Sequence, residues 1–513
     1  MIPSESLFIL IKSLSQNEKR YFKVSASMHV LGEKNNYEKL FEAIDSQKVY
    51  DESKIKKKFA DSSFINRLPA AKNYLYTIIL KSLQSFQADR DFYSRLKSTM
   101  HQIKILFEKS HYKECLALIL KAKEKAYRHE NLAILLEILD WEKKVFEMQL
   151  NGQKLEKKLD YIFKEKKVLL KKLDNLFDYQ LVSSKIMNLV RTVGMIRSKD
   201  DLKKFEKYIT SPLMASEEAA LTFHAKYLFC SIYSVFYYAK RDYKNSYHYL
   251  KKRLLLIDAN VEQIVEETNH YLETIYHILL QSQSLKKYDE YEYYLKKLIN
   301  VPKQLPAKNL RTIEAKIFAY SSETELLLCI KTGRFERGNS LIKGIEKGLQ
   351  RFDGQIQKNL QISIYFNLSV IHFGNNNFSG SLKSLNKLLN DPNFEHSEDL
   401  YSFARIFNLI LHFELKNQDL LEYSVKSTYR FLYKRKRLYR FESIILNFIR
   451  KKMPRTNTKT EVIQAFKALK LELEHLAKDD FEKNSFEYFD IINWLQSKIE
   501  NKTFAEMLPY HRN

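Results

Sequence analysis

Helix breakers are scarce in this chain, with 10 glycines and 8 prolines in 513 residues. Sheet-rich and loop-rich enzyme folds draw on both residues for their turns. Their scarcity argues against such folds and for long helices joined by short turns. Cysteine is scarcer still. Cys115, Cys230 and Cys329 are odd in number and far apart, with no C-x-x-C pair, which argues against a disulfide framework and a cysteine-rich zinc site. No apolar run approaches the roughly 18 residues that a membrane-spanning helix needs. The opening "MIPSESLFILIKSL" has no basic segment ahead of its short apolar run and no small-residue cleavage pattern. The expectation is a cytoplasmic protein without membrane insertion. Also missing are the G-x-x-x-x-G-K-S/T phosphate loop, HExxH, the G-x-S-x-G elbow and a glycine fingerprint behind a strand. The chain is therefore expected to be no enzyme and to carry no catalytic residues, cofactor or metal.

What is present is apolar and aromatic: 45% hydrophobic residues and 13% aromatic. That is too much for a disordered chain. Tyr365, Leu368, Ile371 and Phe373 form a helical stripe, and Phe378, Leu382, Leu385, Leu388 and Leu389 form a second one after "GNNN". Glycine and asparagine tolerate the left-handed backbone that ends a helix. Small Ser369 and Ser381 permit close approach of the paired helices. The stretch therefore predicts an antiparallel helical hairpin.

The same order recurs along the chain. The first bulky residue of each second helix gives Tyr112, Leu155, Leu202, Tyr243, Tyr288, Phe335, Phe378 and Leu421, separated by 43, 47, 41, 45, 47, 43 and 43 residues. Such a period is the mark of a stacked repeat array. Tyr365, Leu368, Ser369, Phe378, Ser381, Leu385 and Leu388, with Pro392 following, resemble the tetratricopeptide repeat family, in which these are packing residues. His372 departs from that pattern, standing where a bulky first-helix residue is usual. The period also exceeds the roughly 34 residues usual for that family. The expected fold is all-α, an α-α superhelix: a tetratricopeptide-like solenoid with long hairpins of about 41–47 residues.

Residues 1–95 do not follow this register and predict a compact N-terminal helical unit, with Ser15 and Glu18 at capping-box spacing. Residues 96–456 are the repeat array, and 457–513 are expected to be a C-terminal helical cap over its last apolar face. The opening "LIKSLSQNEKRYFK" and the helix "KNYLYTIILKSL" are similar to a group of helical-repeat proteins from Bacteroidota, a resemblance that implies no known activity.

Two binding surfaces are candidates. In the resembled family the first helices line a groove that accepts a partner segment; by the register, Tyr237, Tyr238, Lys240 and Asn367 stand there. Tyrosine suits such a surface, offering rigid apolar area with a polar end. The favoured function is accordingly a non-catalytic scaffold that binds a protein or peptide. The alternative is a nucleic-acid-associated or regulatory protein. The formal net charge is +24, and between 429 and 455 ten Lys and Arg residues face one acid, Glu442. There Leu438, Phe441, Ile445 and Phe448 form the expected buried stripe of a basic helix. That would leave Lys436, Arg437 and Arg440 exposed to neutralise phosphates. Glu262, Glu266, His270, Glu273 and His277 share one helix face, and the expectation there is a solvated polar face rather than a metal site.

Overall fold

The computed structural model describes residues 5–28, 36–60, 62–87, 92–260, 268–304, 310–391, 398–435, 437–453, 458–479 and 481–508. Among them there is no β-strand and there are 23 α-helices. The chain is an all-α helical array of the α-α superhelix class. It divides into two compact units, Met1–Lys166 and Lys167–Asn513.

In the first unit α1 (Ser6–Ser13), α2 (Gln16–Met28), α3 (Asn36–Asp45), α4 (Glu52–Lys58) and α5 (Leu68–Gln87) enclose Ile11, Phe22, Leu40, Phe41, Ile44, Leu75 and Ile79. The Ser15 hydroxyl accepts from the Glu18 amide at 3.3 Å while the Glu18 carboxylate accepts from the Ser15 amide at 2.7 Å, so the capping box forms. Next come α6 (Phe92–Glu108), α7 (Tyr112–Arg128) and α8 (Leu132–Gln149). Then α9 (Gly152–Thr192) runs 41 residues and passes through the division between the units. After Gly152 it contains no glycine or proline.

The second unit continues with α10 (Lys199–Ile209) and five hairpins: α11 (Phe223–Ala239) with α12 (Tyr243–Asp258), α13 (Thr268–Ser284) with α14 (Tyr288–Gln304), α15 (Leu310–Thr332) with α16 (Phe335–Arg351), α17 (Lys358–Gly374) with α18 (Phe378–Leu389), and α19 (Glu398–Glu414) with α20 (Gln418–Lys434). It ends with α21 (Arg440–Asn447), a π-helical turn Phe448–Lys452, α22 (Lys459–Leu476) and α23 (Ile491–Glu500). Neighbouring helices pack on one another along the chain.

One turn geometry makes the hairpins. Ser110, Arg241, Lys286, Gly333, Asn376 and Lys416 all have positive φ, and each stands two residues before its second helix. The amide that follows each one donates to the carbonyl five residues back, as in His111 to Leu106, Asp242 to Tyr237 and Asn377 to His372, at 2.8–2.9 Å. This left-handed helix ending satisfies carbonyls that a helix terminus leaves without partners. Five of the expected anchors, Tyr112, Tyr243, Tyr288, Phe335 and Phe378, are the first residues of their helices. The leucines are not. Leu202 and Leu421 each lie one turn inside a helix that opens with polar residues, and Leu155 lies near the start of uninterrupted α9.

Small residues set the spacing. Ser369 and Ser381 are fully buried, and each hydroxyl donates to the other residue's carbonyl, at 2.8 and 2.7 Å. Gly374 ends α17 rather than making the turn, and a Cβ there would lie 2.3 Å from the Phe335 ring.

The C-terminal residues do more than cover the final hairpin. Tyr488 packs against Phe366 of α17 and Phe403 of α19. Phe489 packs against Phe373 and Phe407 with ring centroids 5.2 and 4.9 Å apart, and Phe504 reaches Phe335 and Phe373. The stretch 481–508 thus returns along α17 and α19, first helices of their hairpins, and reaches the start of α16. The indole of Trp494 donates to Glu414 at 2.6 Å and packs beside Phe413.

Candidate functional site

Within the second unit, the first helices leave a cavity of mixed polar and apolar lining beside this returning segment, with a volume of about 190 Å³. Residues four apart on a helix share a face. Tyr276, Leu280 and Ser284 of α13 form one wall on that spacing, and Glu323, Leu327 and Lys331 of α15 form the next. Ser363, Phe366 and Asn367 of α17 follow, and Arg241 at the turn after α11 closes one side with Glu487 and Tyr488.

The polar groups are connected. Glu323, 7% exposed, accepts hydrogen bonds from the Tyr276 and Ser363 hydroxyls, so its carboxyl ties α13, α15 and α17 together. Burial holds its pKa above the usual carboxylate value, with the two hydroxyls opposing. Tyr276 stacks on Tyr320 with centroids 4.2 Å apart, and burial raises its hydroxyl far above the ordinary value. Lys331 donates to the Ser284 hydroxyl at 3.0 Å. Burial first, and then the neighbouring Arg241 charge, bring its ammonium down to about 8. Arg241 meets the Glu487 carboxylate at 2.9 Å and donates to the Tyr243 hydroxyl at 3.1 Å. The arrangement can hold a small polar group between two cations and a buried acid.

Of the groove residues expected from the register, Tyr238 and Asn367 line this cavity together, and Asn367 is buried. Tyr237 lies elsewhere, stacked with Tyr233 and Tyr249 at interplanar angles of 20° and 13°. Lys240 is exposed just after α11. Sequence reasoning passed over Arg241, Glu323 and Lys331. The signal for Glu323 and Lys331 was an acid and a base eight residues apart on one helix face with Leu327 between them; Arg241, at a turn, carried no such pattern.

The basic segment departs from expectation. It is not one helix, because residues 437–439 separate α20 from α21. Lys436 lies outside the described residues. Arg437, expected to be exposed, is buried: its guanidinium donates to the carbonyls of Thr192 at 2.7 Å and Val193 at 3.2 Å. Those groups end α9, where carbonyls lack helical partners and a cation is favoured. Arg440 is exposed, 3.8 Å from Asp479.

Glu262 and Glu266 also lie outside the described residues. Of their expected companions, Glu273 lies 3.8 Å from both His270 and Lys316. His277 is not on a solvated face; it stands 3.5 Å from Arg253, and burial with that charge pushes it down to about 4. Among the described residues no cluster of three or more His, Cys, Asp or Glu is placed to hold a metal ion. The three cysteines are buried, and burial raises the Cys230 thiol to about 12, far from a reactive thiolate. Among the described residues no helix is long and apolar enough to cross a membrane. No protein-family model matches the chain, and no curated protein matches it.

Proposed function

We propose that this chain is a non-catalytic, cytoplasmic scaffold of the tetratricopeptide-like kind, whose first-helix layer in the second unit binds a protein or peptide partner. One observation supports the reading above others: the layer already accommodates a segment, 481–508, through Tyr488 against Phe366 and Phe403 and through Phe489 and Phe504 against Phe373. Aromatic anchors in well-packed pockets are how few residues supply most of an interface's energy. Beside that segment the cavity with Tyr238 and Asn367 stays open to a further side chain. The nucleic-acid reading loses one of its three named cations, since Arg437 is engaged with α9.

The test is affinity capture on the full chain from its native cell, with and without nuclease, followed by titration of the recovered protein against purified wild type and Tyr238→Ala. A stoichiometric, nuclease-resistant protein whose affinity falls on substitution supports the scaffold. Loss of every captured partner on nuclease treatment overturns it.

A further inference from the structure

Two cations line the cavity, and the chain supplies a carboxylate to one of them. Glu487 stands 2.9 Å from Arg241. Lys331 meets the Ser284 hydroxyl at 3.0 Å, and among the described residues no carboxylate comes within ion-pair range of it. Lys331 is half-buried, so an ammonium without a counter-ion there is disfavoured, and an arriving anion offsets that cost. The remaining lining fits a carboxylate's second oxygen and its stem: the Asn367 amide donates, while Leu280, Leu327 and Phe366 are apolar. A volume of about 190 Å³ admits a short acid.

We propose that this cavity is a binding site for a carboxylate group, with Lys331 as its counter-ion, carried either by a small free acid or by an acidic side chain of a partner segment. The second source rests on the scaffold reading given above; the first does not. Burial favours the neutral amine of Lys331, and the same low dielectric strengthens its pairing once the anion enters.

The experiment acetylates full-length protein with a water-soluble N-hydroxysuccinimide acetate and follows Lys331 by peptide mass spectrometry. The probes are succinate, acetyl-Gly-Glu-Gly-amide, neutral succinamide and inorganic phosphate. A carboxylate with a Kd of about 1 mM, present at about 10 mM, slows labelling of Lys331 roughly tenfold. Succinamide leaves the rate unchanged. Protection by succinate assigns the site to free acids, and protection by the peptide alone assigns it to a partner's side chain. Calorimetric titration of the effective probe shows binding to wild type and at least a tenfold loss in Lys331→Met, whose helicity is checked by circular dichroism. Protection by neither carboxylate, protection by phosphate in their place, or equal binding to Lys331→Met overturns the assignment. Capture of the same protein partner by wild type and Lys331→Met, alongside any of those results, would remove the carboxylate site and leave the scaffold standing.

Discussion

Arg197 and Glu442 are 245 residues apart in sequence and 2.6 Å apart in space, each with a side chain only 6% exposed. Glu482 joins them at 2.9 Å and also accepts from the amides of Arg440 and Phe441. Tyr439 lies against the guanidinium, with its ring centroid 4.0 Å away. One cation therefore fastens the segment before α10 to α21 and to the start of the returning C-terminal stretch. With Arg437 on the end of α9, it brings the two ends of the second unit's array into contact.

Removing the cation alone strands two buried carboxylates. Arg197→Met is expected to cost about 3–5 kcal/mol, the usual range for breaking a buried ion pair by deleting one partner. Adding Glu442→Leu to that variant should recover part of the loss, because one of the uncompensated charges is gone. Urea unfolding of the two variants and wild type measures both effects.

Two glycines separate close packing from helix propensity. Gly344, on the exposed side of α16, has open space where a Cβ would go, so Gly344→Ala should gain up to about 1 kcal/mol from helix propensity. Gly374→Ala places the same methyl against the Phe335 ring and should cost about 1–3 kcal/mol. Thermal unfolding midpoints that move in opposite directions confirm the close packing of α17 on the start of α16.

The turns make a similar prediction. Lys286 and Lys416 are exposed and hold φ of +57° and +58°, a region that costs a side-chain-bearing residue about 1–2 kcal/mol. Glycine removes that cost while retaining the amide bonds to the preceding helix. Lys416→Gly should therefore stabilise, and Lys416→Val should destabilise by more than the glycine gains. Calorimetric melting of the two variants checks the sign of each.

Glu323 gives the fold a pH dependence. Its folded pKa is raised by burial, so its contribution to stability is present below its ordinary value of 4.5 and is lost as pH rises through the folded value. Glu323→Gln retains an acceptor for Tyr276 and Ser363 without the buried charge. The variant should be no more stable than wild type near pH 4 and more stable by about 1 kcal/mol or more near pH 8. Denaturant midpoints across that range decide it; a constant difference between the two proteins would contradict the burial argument.

Much of the scaffold was legible because it is written locally. Tyr243, Tyr288, Phe335 and Phe378 open their helices, and the capping pair Ser15 and Glu18 forms as spaced. The weaker leucine anchors misplace helix starts because α10 and α20 open on polar residues that no apolar stripe marks. Only the helix-ending hydrogen bonds reveal that lysine, arginine and serine make the same turn that Gly333 and Asn376 make elsewhere. Arg437 was misread for a different reason. Periodicity assigns a helix face from near neighbours, whereas its partners are carbonyls 244 and 245 residues away. The site was half visible: Tyr238 and Asn367 follow from the register, but Glu323, Lys331 and Arg241 meet only once three hairpins stack.

The central claim, that the first-helix layer of the second unit is a partner-binding surface, is tested most directly at Tyr238. The measurement is the affinity of the captured partner for purified wild type and Tyr238→Ala, each of unchanged helicity and treated with nuclease. Loss of an aromatic anchor at an interface hot spot costs at least about 2 kcal/mol, or roughly thirtyfold in Kd, and a weakening of that order is the predicted result. Equal affinity for the two proteins would contradict the claim.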